Sequence, residues 1–258
     1  MRPDPYAWSV HGEALLATSL LIAGYLYGTR HERVSRARLA SFWAGVALLV
    51  AVAVTPLDAL SFHLLSAHLL QNVVLAEWAP ALVVFGIPPG LAATLGRMPP
   101  VRALTRPVVA LPIWLLTYFV WHLPWLYDSA LRHPLTLLHL EHAMYFAAGC
   151  LLWWPVAQDA PRRLDDGARA LYLFAAFVLA SPVGLLLALL PEPVYDFYVD
   201  APRLWGLGPL GDQQIAGVLM AVSEAVVFFA VFAFFFFRFL AEEEAEGRPA
   251  EKMGRSAY

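Results

Sequence analysis

Residues 62–86 read FHLLSAHLLQNVVLAEWAPALVVFG, with Glu77 the one carboxylate and no lysine or arginine. A helix needs about 20 mostly apolar residues to cross the hydrocarbon of a bilayer, so this stretch is long enough to span. Only helices and closed barrels satisfy their backbone in lipid. The alternation of a barrel strand is missing, so the stretch reads as a helix. The rest of the 258-residue chain has the same character: 60 % of it is hydrophobic and 14 % charged, with a mean hydropathy of +0.62. Soluble domains carry about 25 % charged residues. Polar groups this sparse cannot cover a water-facing surface, and the bilayer is the natural solvent. A net charge of −3 without a clustered basic face gives no reason to expect a nucleic-acid partner. The single Cys150 excludes an intrachain disulfide framework.

Working outward, six further apolar runs are expected to be helices. With residues 62–86 they lie near 12–29, 39–57, 107–127, 135–156, 168–190 and 212–239. Thr55-Pro56, the turn from Gly86 to Gly90, Met98-Pro99-Pro100, Asp128 to Pro134 and Pro191-Glu192-Pro193 punctuate them. The expected fold is an all-α, seven-helix transmembrane bundle in one domain, residues 1–240. Residues 241–258 form a polar cytoplasmic tail expected to be disordered. Proline at 112, 124 and 182 is expected to kink or end spans.

Orientation follows from the basic residues of the short loops, which favour the cytoplasm. With the N-terminus outside, fourteen of the seventeen lysines and arginines lie inside. They form four groups: Arg30, Arg33, Arg36 and Arg38; Arg97, Arg102 and Arg106; Arg162, Arg163 and Arg169; and Arg238, Arg248, Lys252 and Arg255. Arg2, Arg132 and Arg203 remain outside. The first arginine cluster follows its apolar run, the reverse of a signal peptide, so that segment is expected to be retained. A multi-pass protein of a bacterial cell membrane is expected, N-terminus out and C-terminus in.

Under this topology the histidines gather on one side. At about 1.5 Å per residue, His68 lies roughly 9 Å inside the start of its helix and His122 roughly 7 Å inside the end of the next. By the same rise His139 and His142 lie roughly 6 and 10 Å inside the fifth, and Met220 roughly 12 Å inside the seventh. Four helices thus offer metal-capable side chains to one thin layer in the outer half of the bilayer. His139 and His142 share a helix face, being three apart. Ionisable groups within spans are costly and mark functional sites by default. Imidazole suits copper, zinc and iron, and a thioether shifts the choice towards Cu(I). The candidate metal ligands are therefore His68, His122, His139, His142 and Met220. Gln71, Glu141, Asp212 and Gln213 are expected to orient them. His11, His63 and His133 read as ordinary interfacial or loop residues. No phosphate loop, nucleophile elbow or HExxH motif is present.

Several stretches carry a resemblance. They are Ser66-Ala67-His68-Leu69-Leu70-Gln71, Trp121-His122-Leu123-Pro124-Trp125-Leu126-Tyr127, Leu138-His139-Leu140-Glu141-His142, Trp153-Trp154-Pro155, and Gly211 to Met220. Together they resemble the CtaG family of cytochrome c oxidase assembly factors, the polytopic type associated with caa-type oxidases, over about residues 40–240. The resemblance implies a non-enzymatic seven-span bundle that helps to build the oxidase. It also implies that copper is bound and delivered on the extracytoplasmic side to oxidase subunits in the membrane. The family pattern His-Met-x-Gln-His reads here His68-Leu69-Leu70-Gln71-Asn72, without the methionine and the second histidine. Ala216 and Ala221 stand where Gly and Trp are usual.

Three other readings fit parts of the pattern. Two facing histidines could ligate a b-type haem, with Ala147, Ala148 and Gly149 leaving room for it. A metal transporter would need a polar route through the inner halves, which offer little beyond Glu77 and Ser181. A structural scaffold would use the histidines only as bonds between helices.

Overall fold

The computed structural model describes residues 3–254, and every regular element among them is helical. The principal helices are α1 (Gly12–Thr29), α2 (Arg36–Val54), α3 (Leu65–Gly86), α4 (Pro107–Trp121), α5 (Pro124–Arg132), α6 (Pro134–Ala157), α7 (Asp166–Leu189) and α8 (Pro209–Gly254). All seven expected segments are helical. Five helices among the described residues, α2, α3, α6, α7 and α8, are long and apolar enough to cross a membrane, and the bent pair α4–α5 is a sixth where it counts as one span.

One expectation needs correction. The stretch 107–127 is not one helix: α4 and α5 meet at 74° with the break at His122 and Leu123. Pro124 has no amide hydrogen to continue the ladder and disfavours helix in the residue before it. At the far end, α8 runs on to Gly254. Ala and Glu dominate residues 241–246 and are strong helix formers. The side chain of Arg238 reaches Glu242 one turn on, at 3.9 Å.

α3 is the most buried of the spans. It packs against α2, α6 and α8, so its polar residues face protein on all sides. Neighbouring helices tie both its ends. At its C-terminus, Arg38 donates to the carbonyls of Phe85 and Ile87, and Gln158 donates to Val84 O at 2.6 Å. These carbonyls lie in the last turn of the helix or just past it, where the ladder leaves acceptors open. Within α3, residues Val74–Trp78 form a π turn, a distortion often found near functional positions. Gly149 of α6 lies against this turn. A Cβ there would sit 2.3 Å from Ala76 O and 2.6 Å from Pro80 Cγ, so only glycine permits the approach.

The main core joins α3, α4, α6, α7 and α8 through Leu69, Trp114, Tyr118, Trp153, Leu173 and Phe228. The outward faces carry Leu171, Leu186, Leu189, Val218, Val222 and Phe237, all exposed. Lipid is the solvent such faces require.

Candidate metal centre

His68 is set by its helix start. The Asp212 carboxylate of α8 accepts from Leu65 N at 2.6 Å, from Ser66 N at 3.2 Å and from the Ser66 hydroxyl. Asp212 is therefore a cap for α3, which explains its burial without any contact to imidazole. One turn on, His68 is wholly buried. Its Nδ1 lies 2.9 Å from Tyr198 Oη, and that hydroxyl donates to Ser61 O at 2.6 Å. A hydroxyl has one hydrogen, so the imidazole must donate to it from Nδ1. Nε2 is left with its lone pair. It is buried without a hydrogen-bond partner and lies 3.8 Å from Glu141 Oε1. Tyr198 lies between α7 and α8. Burial, with the Asp212 and Glu141 carboxylates adding to it, raises its phenol well above the ordinary value, so this arrangement persists at neutral pH.

His122 sits at the α4–α5 break. Its Nδ1 is 2.7 Å from Tyr118 O, a carbonyl left open where α4 ends. A carbonyl only accepts, so Nδ1 carries the hydrogen, and Nε2 is again a buried lone pair without a partner. The Tyr195 hydroxyl donates to His122 O at 3.1 Å and holds the break in place. Tyr127 stands between the two imidazoles, its ring centroid 4.9 Å from His68 and 6.0 Å from His122.

His142 of α6 faces His68 edge-on, with ring centroids 6.2 Å apart. Its Nε2 is the third buried imidazole Nε2 without a partner among the described residues. Beside the pair, Glu141 is fully buried; its Oε1 accepts from Asn72 Nδ2 at 3.1 Å and its Oε2 has no partner. An unpaired buried polar atom costs about 1–3 kcal/mol, and such atoms are scarce in folded proteins. Three of the unpaired atoms are imidazole Nε2: those of His68 and His142, which face each other beside the Glu141 carboxylate, and that of His122, on the far side of the Tyr127 ring from His68.

The remaining expected residues have the following places and partners. Met220 is buried in the main core. Gln71 donates to Val52 O at 2.8 Å and to Asp58 at 3.4 Å. Gln213 accepts from Val194 N at 2.7 Å and donates to Glu192 O at 3.1 Å, fastening the loop before α8. His139 does not join His68; its Nε2 lies 3.1 Å from Glu13 Oε1 in the first turn of α1, beside His11. Glu13 and His11 carried no signal in the spacing of residues, because α1 and α6 meet only in the folded bundle. Deeper, Glu77 is fully buried with both oxygens unpaired, and Glu224 accepts from the Tyr118 hydroxyl.

This architecture defines a polytopic, all-helical membrane protein with buried imidazoles and carboxylates between its spans. Residues 12–242 match the family model for the cytochrome c oxidase caa3 assembly factor, Caa3_CtaG, and the chain belongs to that family. Uncharacterized proteins of Mycobacterium bovis and Mycobacterium tuberculosis are each 23 % identical to it over 223 residues. These alignments cover 76 % of this chain and 33 % of each relative, so the chain spans about a third of the length of the curated relatives it matches. No solved structure matches the chain.

Proposed function

We propose that this assembly factor carries copper for the oxidase, holding the ion at His68 and His142 with His122 as a further imidazole donor. The observation that carries the reading is the set of three buried, unpartnered Nε2 atoms, two of them with the lone pair assigned by the bond at Nδ1. Imidazole donors accept copper readily. The set is loose: among the described residues, His68, Glu141 and His142 do not bring their ligand atoms together within 4.8 Å. A loose set suits a cargo ion that must leave.

The same reading places the N-terminus outside and the C-terminus in the cytoplasm, on the distribution of basic residues. The imidazoles then lie towards the extracytoplasmic side. Hand-off is lateral, to an oxidase subunit docked in the membrane, and needs no catalysis by this chain. Gly149, which the haem reading needs as open space, is filled by Ala76 and Pro80, and this favours copper over haem.

The test is a competition titration of the purified protein with Cu(I) and a chromophoric chelator. Wild type is expected to retain an equivalent that the His68→Ala, His142→Ala double variant holds about 100-fold more weakly or not at all, since even outer partners contribute about 10–100-fold. Equal Cu(I) retention by both proteins, or a Soret band in the purified protein, ends the copper reading.

A further inference from the structure

His11, Glu13 and His139 lie outside the buried centre and form a tighter group. One nitrogen of each imidazole and one Glu13 oxygen all fall within 4.8 Å of one another, the only such group of three among the described residues. His139 Nε2 is 3.1 Å and His11 Nδ1 3.8 Å from Glu13 Oε1. A tetrahedral ion with bonds of about 2.0–2.1 Å holds its ligands about 3.3 Å apart. The group is therefore close to the required spacing before any ion arrives.

A surface ion pair would not explain how His11 is held. His11 occupies the position before α1 but makes no capping bond there. Its Nε2 is instead 2.9 Å from Asp58 Oδ2. Asp58 is buried, and its other oxygen accepts from Gln71 at 3.4 Å. A carboxylate that takes the hydrogen from one ring nitrogen leaves the other as a lone pair. This is the support that metal-binding histidines commonly have. Here it turns Nδ1 towards Glu13. The three side chains are 30 %, 33 % and 52 % exposed, which leaves coordination positions open to exchange. They border a cavity of about 880 Å³ whose wall also includes Asp58, Gln71 and His142.

We propose that His11, Glu13 and His139 form a second, outer site for a divalent first-row ion, Cu(II) or Zn(II), with Asp58 as the residue that positions His11. Two imidazoles and a carboxylate suit these ions better than Cu(I), and Cu(II) binds the more tightly of the two. On binding, a hydrogen on His139 Nε2 moves to Nδ1 through solvent, and the Nε2–Glu13 Oε1 contact of 3.1 Å gives way to a bond from each atom to the ion. The proposal goes beyond the copper-carrier reading and does not depend on it.

The test titrates the full chain in detergent with Zn(II) alone and with Cu(II) alone, by competition with a chelator. Wild type is expected to bind an equivalent of each, which Glu13→Gln and His139→Ala lose or hold at least about 10-fold more weakly. Asp58→Asn is expected to weaken it by about 10–100-fold. Both directly tested side chains are partly exposed, so the variants are expected to fold, and gel filtration checks this. A Cu(II) spin-resonance spectrum of nitrogen-coordinated copper that changes in His139→Ala supports the site. Zn(II) and Cu(II) affinities in Glu13→Gln and His139→Ala equal to wild type overturn it. Cu(I) titration of the His68 and His142 variants reads the other site, so each reading can fail alone.

Discussion

Tyr198 and His68 are joined by a hydrogen bond whose direction is set from outside the pair. Because Ser61 O takes the phenol hydrogen, at 2.6 Å, His68 must donate to Tyr198 from Nδ1, at 2.9 Å. A loop residue thereby decides which nitrogen of a buried imidazole is free.

Tyr198→Phe should release that constraint. The expected outcome is Cu(I) affinity lower by about 10–100-fold and stability lower by about 1–3 kcal/mol from the unpaired Ser61 O and His68 Nδ1. Chelator competition and thermal unfolding in detergent measure the two. Wild-type affinity in this variant would refute the role given to Tyr198.

Tyr198 also sets a pH limit. Its folded-state value is raised by burial, so the neutral phenol is the form the fold favours. The associated stability is fully present below the unfolded value of about 10 and is lost as pH rises above it. Unfolding midpoints are expected to hold steady from pH 7 to about 9.5 and to fall at higher pH, with a smaller fall in Tyr198→Phe. The same alkaline fall in both proteins would count against this.

Gly149→Ala tests the helix approach that brings His142 towards His68. A methyl group there would meet Ala76 O at 2.3 Å, and overpacking costs about 1–3 kcal/mol. A lower unfolding midpoint and weaker Cu(I) binding are expected together, since α6 must move away from α3. An unchanged midpoint would show that the approach is not tight.

Asn72→His restores the four-residue histidine spacing on α3, which places both rings on one helix face. It exchanges the Asn72–Glu141 bond for a third donor near His68. Cu(I) is expected to bind about 10-fold more tightly or better, with slower release to a chelator in stopped-flow measurements. Weaker binding would show that Asn72 serves the site by holding Glu141.

Asp212→Ala separates a helix cap from a metal partner. Loss of the cap is expected to cost about 0.5–2 kcal/mol, read as a lower unfolding midpoint. A shift in the spectrum of bound Cu(II) would instead assign Asp212 to the ion.

Much of this was legible in the residues. Long apolar runs and proline breaks placed the helices, because in lipid the backbone leaves few alternatives. His68 and His142 were legible as neighbours through their shared depth. Depth along a helix does not give rotation about its axis, however, and rotation sends His139 towards α1 while His142 turns inward. The same limit applies to Asp212 and Gln213, whose amide and carbonyl partners belong to other segments. His11 and Glu13 join His139 only through tertiary packing. The break at His122 was visible as Pro124, but its 74° angle depends on packing that holds α5 against the bundle.

That break has a mechanical consequence. Leu123 N bonds Val120 O, while Leu126 N and Tyr127 N bond Leu123 O, so the arms hand over at a single residue and no ladder stiffens the elbow. Tyr127, the ring between two imidazoles, rides on the short arm, with His122 at the pivot. The angle between the arms is therefore set from outside them, by the Tyr195 hydroxyl on His122 O at 3.1 Å and by Asp128 of α5, which accepts from Phe197 N at 3.2 Å.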